Sequence, residues 1–388
     1  MYQAMTSKKI IAVTGTRADY GLLSKTLHAI NESKTLSLCL CVTGTHLSKS
    51  FGETKRFIDE DGISVDHEIN IIENNFDEKT VSGFVGLMIQ NFSKYLEEVK
   101  PDLVLLLGDR YEIFAAATSS LINRVPIAHI HGGELSEGSF DDAFRHSITK
   151  MSHIHFTSCE EHRNRVLQLG ESSSHVFNFG APGVELIRST KLLSKKEIYK
   201  IVGIKLSDKN FMITYHPETL NTDQSPSLQI NNLLAALKKY RDTNLIFTKA
   251  NADPGGQEIN DEILKFVSKN SNASLHSSLG QKNYLSVLSH CDAMIGNSSS
   301  ALIEAPSFKL PVLNIGNRQR SRMKSNNVID CKNDAGSIEE ALIEVNSINR
   351  ELITNPFDGG KTSVKIVETL ENIDLKDILK KQFKDLLS

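Results

Sequence analysis

The sequence lacks the features that mark several large classes of protein. Its 388 residues include only five cysteines, and none forms a Cys-x-x-Cys pair, so neither a disulfide framework nor a zinc ribbon is indicated. No apolar run approaches the ~18 residues that a bilayer span needs, so we expect no membrane segment and a cytoplasmic location. The 44 basic and 47 acidic residues nearly cancel, which argues against a nucleic-acid or anionic-membrane partner.

What the sequence does contain is a series of short apolar runs that alternate with amphipathic stretches. This pattern predicts an α/β protein built from βα units on parallel sheets. Gly180–Gly183 interrupts the pattern, so we predict one domain over 1–182, a second over 183–371, and a charged amphipathic helix over 372–388 that packs back on the first domain. The predicted strands are 10–14, 38–43, 103–107, 127–130, 154–157 and 176–179, then 211–215, 245–248, 274–276, 293–295 and 312–315.

One long helix is predicted over 78–99. Its apolar residues recur at helical spacing, which indicates a face that packs against the sheet. The predicted core positions of this helix are Phe84, Leu87, Met88, Phe92 and Leu96.

Polar side chains gather where the predicted strands end. Ligands of open parallel sheets bind beyond the carboxyl ends of the strands, so these segments are the candidate site. A single Gly-Asp-Arg after a strand is usually an ordinary turn, but five such ends make that interpretation a poor one. The five segments are Thr14–Tyr20, Gly108–Arg110, His129–Glu134, His216–Glu218 and Gly296–Ser300.

The segment Gly296–Glu304 predicts a phosphate site. It opens a helix with Asn and three serines, whose hydroxyls and free N–H groups suit a diphosphate. It matches neither a Walker loop nor a dinucleotide fingerprint, so we expect no bound NAD. Arg17 and the later arginines Arg318, Arg320 and Arg322 could neutralise the phosphates. Each arginine of the 318–322 run could equally be a solvated surface residue.

The helix predicted over 139–150 lies directly behind the His129–Glu134 loop. At i, i+4 spacing Asp141 faces Arg145 and Asp142 faces His146, a pattern that alone more often marks surface pairs. Beside the loop, these carboxylates could support paired acid and base chemistry. Zinc ligation through His129, His131 and Glu134 is the alternative, and His-x-His at a strand end is weak evidence for it.

Several segments together resemble the UDP-N-acetylglucosamine 2-epimerase family, specifically its hydrolysing branch, which begins the synthesis of sialic and related nonulosonic acids. The resemblance spans nearly the whole chain. It is carried by Val13–Gly21, Val42–His46, Gly108–Phe114, His129–Glu134, Arg145–Ser152, His216–Thr219, Gly296–Ser300 and Glu304–Ser307.

The resemblance implies two Rossmann-like domains of the glycosyltransferase-B type with the active site in the cleft between them. It implies anti elimination of UDP from UDP-N-acetylglucosamine to give 2-acetamidoglucal, then hydration to N-acetylmannosamine, with no cofactor and with at least a homodimer. The implied catalytic residues include Asp109, Asp141 and His216. The implied UDP-binding and substrate-binding residues are Ser298, Ser299, Ser300, Glu304, Arg17, His46, Asp142, Arg145 and Arg318.

The sequence departs from the family pattern at one position. Many relatives have a glutamate in the His-x-Glu motif where this chain has His131. Either His131 titrates, which its ordinary pKa near ~6.5 allows, or Glu134 reaches the same space. We expect Glu134 to carry the carboxylate chemistry, with His131 as a polar contact.

Four other functions stay open at this stage. The same chemistry could act on UDP-N,N′-diacetylbacillosamine, which differs at C4 and C6 of the sugar. A non-hydrolysing epimerase would re-add UDP, and the Arg17–Gly21 and Gly132–Glu134 signatures disfavour it. A glycosyltransferase could share the architecture, since a fold does not fix an activity. A silent sugar-nucleotide sensor would not need so many acidic groups at strand ends.

Overall fold

The structure is a computed structural model that describes residues 7–49, 53–71, 78–136, 140–218, 224–250, 255–277 and 279–385. The chain divides into two compact units. Unit 1 is Met1–Leu186 with Phe357–Ser388, and unit 2 is Ile187–Pro356. Thr219 and Ser139, which belong to a predicted motif and a predicted helix, lie outside the described residues. No helix in the described ranges is long and apolar enough to cross a membrane.

Unit 1 is a doubly wound parallel sheet. Its strands are β1 (Lys8–Thr14), β2 (Leu36–Thr43), β3 (His67–Ile69), β4 (Leu103–Leu107), β5 (Ile127–Ile130), β6 (Ile154–Thr157) and β7 (Val176–Asn178). Its helices are α1 (Arg17–Glu32), α2 (Arg56–Glu60), α3 (Glu78–Val99), α4 (Tyr111–Ile122), α5 (Phe140–Met151), α6 (Glu160–Gln168) and α7 (Pro182–Ser189), which ends in unit 2. The strand order is β3-β2-β1-β4-β5-β6-β7, so the winding direction reverses between β1 and β4.

Unit 2 repeats the same plan. Its helices are α8 (Lys195–Val202), α9 (Pro226–Leu237), α10 (Gly256–Val267), α11 (Gln281–Leu288), α12 (Ser300–Ile303) and α13 (Ala335–Val345). Its strands are β8 (Asn210–Thr214), β9 (Asn244–Thr248), β10 (Ala273–His276), β11 (Ala293–Gly296), β12 (Val312–Ile315) and β13 (Val328–Cys331). The order β10-β9-β8-β11-β12-β13 places the reversal between β8 and β11. The predicted α/β class with two Rossmann-like sheets is confirmed.

Strand β4 shows why the sheet of unit 1 is covered on both faces. All five residues are buried, as the unbroken run of leucine and valine predicts. Leu103, Leu105 and Leu107 pack into one apolar cluster, and Val104 and Leu106 pack into another. The sheet therefore lies between two helical layers, and only its ends and loops are available to a ligand.

Helix α3 has the predicted bounds and packs into the apolar cluster that contains Val104 and Leu106. Its core positions Phe84, Met88, Phe92 and Leu96 are buried. The prediction for Leu87 is wrong, because this side chain is 45% exposed. Leu87 lies at the edge of the apolar stripe, where periodicity alone does not separate a core position from a surface one.

The chain crosses between the units twice, and the two crossing segments are bonded to each other inside unit 1. The Ala181 amide donates to the Phe357 carbonyl at 2.8 Å. A Cβ on Gly359 would lie 1.5 Å from the Phe179 carbonyl oxygen, and one on Gly180 would lie 2.2 Å from the Gly359 nitrogen. Only glycine permits this backbone approach.

The last helix, α14 (Thr362–Asn372), packs on α1 in unit 1. The boundary predicted at 371/372 therefore differs from the observed division at 356/357. The predicted helix over 372–388 is wrong for its described part, because α14 ends at Asn372 and residues 373–385 form turns and irregular chain. Ile373, Leu375 and Ile378 are partly buried and pack against the core of unit 1 without the spacing of one helical face.

An ion cluster around the buried Glu171 carboxylate fastens this C-terminal segment to unit 1. The Lys381 ammonium donates to the carbonyls of Lys150 and Ser152 at 2.6 and 2.7 Å, and it contacts the buried Glu171 carboxylate at 2.9 Å. Lys150 and His155 also pair with Glu171, at 2.6 and 3.1 Å. Burial by itself would raise the pKa of Glu171, but its three hydrogen-bonded partners lower it to about 2. We call these four side chains, Lys150, His155, Glu171 and Lys381, the C-terminal clamp.

Candidate active site

In unit 1 the predicted site residues come together at the carboxyl end of the sheet, beside the point where the winding reverses. Asp109 follows β4, and His131 and Glu134 follow β5. Arg145 reaches them from α5. Because three separate segments of the chain supply these four groups, only the fold brings them into one cluster.

Arg145 is the centre of the cluster. Its Nη2 donates to an Asp109 carboxylate oxygen and, at 3.2 Å, to the Ser136 hydroxyl. Its Nη1 donates to Glu134 Oε2 at 3.0 Å and to the His131 carbonyl at 3.2 Å. A planar guanidinium suits this task because its donors form a fixed fork. The side chain is 8% exposed, so removing it would leave two carboxylates without their cation.

His131 and Glu134 form a close pair beside Arg145. His131 Nδ1 and Glu134 Oε1 are 2.6 Å apart, and the Ser158 hydroxyl donates to the same oxygen at 2.9 Å. Ser158 Oγ in turn lies 2.8 Å from His162 Nδ1. The result is a polar chain that runs from the loop after β5 to α6.

The groups that surround Glu134 keep it ionised. Its burial would raise the pKa of Glu134, but His131, Arg145 and His162 outweigh that effect and hold it well below its usual range. For Arg145, burial would lower the pKa, but Glu134 and Asp109 raise it. Neither member of this ion pair changes charge near neutral pH.

The remaining predicted residues of unit 1 lie elsewhere or make different contacts. Asp142 accepts from the Ser136 amide at 2.6 Å and lies 3.5 Å from His146, so the predicted pair with His146 is present. Asp141 lies in the first turn of α5. The exposed Arg17 lies over the Phe57 ring, 4.1 Å from its centroid.

His46 is buried at the end of β2, and both of its ring nitrogens are engaged. Nε2 lies 3.0 Å from the Thr14 hydroxyl, and Nδ1 lies 2.9 Å from the Thr54 hydroxyl. Burial lowers the pKa of His46 to about 4. The structure thus shows His46 joining two loops as a neutral imidazole, and its predicted substrate contact stays a prediction.

A second acidic group near this edge was not predicted from the sequence. Glu112 is fully buried and receives two hydrogen bonds from Arg110, at 3.2 and 3.0 Å. A Cβ on Gly44 would lie 2.6 Å from Glu112 Oε1, and one on Gly15 would lie 3.3 Å from the same oxygen. The repeated Thr-Gly-Thr after β1 and β2 was the available signal, because only glycine leaves room for this carboxylate. Nearby, burial raises the pKa of Asp19 to about 6.

In unit 2 the predicted phosphate segment begins at the end of β11, beside the other reversal point. Gly296 has φ +132°, and a Cβ there would lie 1.9 Å from the Thr214 carbonyl oxygen, so this turn requires glycine. The helix that follows, α12, has only four residues, which is shorter than predicted, and Glu304 forms its C-terminal cap. Ser298 and Ser299 therefore precede the helix.

Glu304 is bound within this segment. It accepts a hydrogen bond from the Ser300 hydroxyl, which also lies 2.8 Å from the Tyr284 hydroxyl. Burial raises the pKa of Glu304, and the bond from Ser300 opposes that shift. A half-buried carboxylate with a hydroxyl partner can exchange that partner for a ligand hydroxyl.

Asn297 holds the two halves of this edge together, and the sequence did not single it out. The His216 amide donates to its side-chain oxygen at 2.7 Å, and its side-chain nitrogen donates to the His216 carbonyl at 2.8 Å. Its own carbonyl accepts from Arg318 at 3.2 Å and from Gln319 at 2.8 Å. Asn297 therefore fixes the predicted residues His216 and Arg318 relative to the serines.

The family model for UDP-N-acetylglucosamine 2-epimerase matches residues 28–371. The chain belongs to this family of enzymes. The predicted family is thereby confirmed, and the described residues contain no group of three or more His, Cys, Asp or Glu placed to hold a metal ion.

Two relatives and one solved structure illustrate the similarity of this family member. The GDP/UDP-N,N′-diacetylbacillosamine 2-epimerase (hydrolyzing) of Campylobacter jejuni is 41% identical over 388 residues, 98% of this chain and 100% of the relative. Polysialic acid biosynthesis protein P7 of Escherichia coli is 37% identical over 336 residues, 86% of this chain and 85% of the relative. The crystal structure of the Neisseria meningitidis UDP-GlcNAc 2-epimerase bound to UDP-GlcNAc has a TM-score of 0.74 at 22% identity, covering 93% of this chain and 99% of that chain. This confirms the predicted fold class.

Proposed function

We propose that this protein is a hydrolysing 2-epimerase that acts on a UDP-linked 2-acetamido sugar. It eliminates UDP to give a bound 2-acetamidoglucal and then adds water, releasing a free sugar of manno configuration. The observation that carries the proposal is the buried cluster of Asp109, His131, Glu134 and Arg145 at the reversal point of a Rossmann sheet, in a chain of this family.

The reaction needs what this cluster offers. The C2 proton of the sugar is weakly acidic and must leave while the anomeric C–O bond breaks, so a positioned base and a stabilised leaving group lower the barrier together. We assign the proton chemistry to unit 1, with Asp109 and Asp141 as acidic groups. We assign UDP binding to unit 2, where Ser298–Ser300 face the diphosphate, Glu304 binds the ribose and His216 contacts the leaving group.

For the sugar we propose UDP-N,N′-diacetylbacillosamine as the preferred substrate. The support is the 41% identity, over nearly the full chain, to a hydrolysing epimerase named for that sugar. This reverses our expectation from the sequence alone, where UDP-N-acetylglucosamine came first. UDP-N-acetylglucosamine stays the second candidate, with N-acetylmannosamine for sialic acid as its product, because of the 37% identity to a polysialic acid biosynthesis protein.

Incubation in heavy water tests the proposal. The protein is given each UDP-sugar in turn, and the products are followed by NMR. We expect one UDP for each free manno-configured sugar, with deuterium at C2, and a higher kcat/KM for the diacetamido sugar. Release of UDP with an unlabelled sugar would refute elimination, and a UDP-linked product would indicate the non-hydrolysing reaction.

We also propose a homodimer that needs no cofactor. Sedimentation analysis at increasing concentration tests the first part, and a concentration-independent monomer would contradict it. Full activity of metal-free protein after treatment with a chelator tests the second.

A further inference from the structure

We propose that the His131 imidazole is the base that takes the C2 proton, through Nε2, and that Glu134 is a positioning residue for it. This inference rests on the proposed function, and it reverses our expectation from the sequence, in which Glu134 carried the chemistry.

The carboxylates of the cluster are poor bases because they are already bound. Glu134 Oε1 accepts from His131 and Ser158, and Glu134 Oε2 accepts from Arg145. Asp109 accepts from the same guanidinium. A carboxylate that accepts hydrogen bonds from a cation holds its lone pairs there and gives them up to a proton reluctantly.

The bond to Glu134 fixes which nitrogen of His131 can react. Because Glu134 is ionised, it can only accept, so the hydrogen in the 2.6 Å contact lies on His131 Nδ1. A neutral imidazole with its hydrogen on Nδ1 has its lone pair on Nε2. The carboxylate therefore selects the tautomer in which Nε2 is a base.

Nε2 has no partner in the described part of the chain. The atom is buried without a hydrogen bond, and the residue is only 9% exposed. Leaving a buried polar atom unpaired costs about 1–3 kcal/mol, which a folded protein normally avoids. A substrate atom that meets this nitrogen removes the cost.

The backbone of His131 is held in an unusual conformation that directs the ring. Its φ is +69°, in the left-handed region that residues other than glycine and asparagine seldom adopt. The amide donates to the Phe156 carbonyl at 3.0 Å, and the carbonyl accepts from Arg145. Strain of this kind persists where a surrounding structure holds it, and it is concentrated at functional sites.

Three electron pairs move in the proposed step. The Nε2 lone pair takes the C2 proton, the C2–H electrons form the C1=C2 bond, and the C1–O electrons leave with UDP. The imidazolium then returns its proton to solvent. Water adds its hydroxyl to C1 and a proton to C2 of the glycal, from the opposite face, which inverts C2.

The first test compares three variants with the wild type. His131→Asn suits a left-handed backbone but cannot accept the proton, so we expect turnover to fall about 10²–10⁴-fold with UDP affinity within about twofold. His131→Gly also suits this backbone, and added imidazole should restore part of its rate. The control is His28→Asn, which should retain full activity. His28 lies on α1, is half-exposed and pairs with Asp61.

The second test uses the pH dependence of kcat/KM to separate the role of His131 from that of Glu134. Glu134→Gln removes the negative charge beside the imidazole, so the acid limb of kcat/KM should move to lower pH, with turnover reduced but measurable. Glu134→Asp should restore the wild-type profile. The other charged or titratable groups that face His131 stay in place in these variants: Arg145 from α5, Asp109 after β4, His162 from α6 and His129 from β5.

The outcomes separate this inference from the proposed function. Wild-type protein that releases no UDP and labels no sugar refutes the proposed function. If the wild type is active, three results overturn the role of His131. These are a His131→Asn rate above a tenth of the wild type, no imidazole rescue of His131→Gly, and an acid limb of kcat/KM in Glu134→Gln that stays at its wild-type position.

Discussion

Replacing Lys381 by methionine should destabilise unit 1 specifically. The substitution keeps most of the length of the side chain and removes the ammonium that donates to two carbonyls and the Glu171 carboxylate. Glu171 is 1% exposed, so the lost charge is not replaced fully by water. Although Lys381 lies near the end of the chain, its removal acts on the core of the first unit.

The size of the effect follows from the pKa of Glu171. A shift from 4.5 to about 2 is worth about 3 kcal/mol of stability at neutral pH, shared among Lys381, Lys150 and His155. Adding the two carbonyls that lose a donor, we expect Lys381→Met to cost about 2 kcal/mol. For a unit of this size that is a fall of roughly 4–8 °C in the midpoint of thermal unfolding.

The lowered pKa of Glu171 also determines how its contribution to stability changes with pH. Glu171 has a lowered pKa, so its contribution is complete above about pH 4.5 and is lost as the pH falls through about 2. The difference between Lys381→Met and the wild type should therefore narrow as the pH falls below about 4.5.

Thermal unfolding with hydrogen exchange by mass spectrometry measures this loss, with the peptides of β6 and β7 reporting on unit 1. Lys380→Met is the matched control, because Lys380 is 79% exposed and pairs only with Asp377 in the described chain. The control should change stability by less than about 0.5 kcal/mol. Equal midpoints for the two variants would refute the structural role of the clamp.

Three further outcomes are expected. Gly296→Ala should abolish UDP binding or folding, because its Cβ would meet the Thr214 carbonyl. Gly336→Ala, at a helical position with space for a Cβ, should be tolerated. Calorimetry and titration with UDP measure both variants. Arg145→Lys should lower kcat at least tenfold with UDP affinity nearly unchanged, since an ammonium cannot donate to both carboxylates with the same geometry. Wild-type kinetics in this variant would contradict the role of the guanidinium. Asp19→Asn should raise the free energy of unfolding at pH 8 by about 1–3 kcal/mol and have no effect near pH 4. The reason is that the raised pKa of Asp19 makes its ionisation costly as the pH rises through about 6. An equal gain at both pH values would exclude this cause.

Four strands that are buried on both faces were predicted from the sequence to the residue, whereas the predictions for the equally buried β8 and β11 differ from the observed bounds by one residue. The ranges of β4, β5, β6 and β12 agree with the predictions, because continuous apolar runs between polar residues leave little choice of bounds. Strands β3 and β13 were missed. Both are short edge strands with half-exposed residues, so they lack the apolar signal.

The C-terminal segment shows the opposite error. Its mixture of charged and apolar residues is typical of an amphipathic helix, yet the chain after Asn372 forms no helix up to residue 385. Its apolar side chains are placed by the surface of unit 1, and a local pattern carries no information about such a distant partner.

The candidate site was predictable as far as strand ends could locate it. Asp109, His131 and Glu134 came from that rule, Arg145 came from the helix predicted behind the loop, and the structure brings all four together. Which of them hydrogen-bond one another depends on loop geometry. For the same reason it could not be predicted that both Glu134 oxygens accept hydrogen bonds while Nε2 of His131 has no partner among the described residues.

The insertion of unit 2 within unit 1 has a consequence for synthesis on the ribosome. All of Ile187–Pro356 emerges before the final 32 residues that complete the first unit. Domains generally fold as they are made, so here the inner one can be finished while the outer one still awaits its last helix and the lysine that fastens it. A stop codon late in the gene would therefore harm the part of the protein that was translated first.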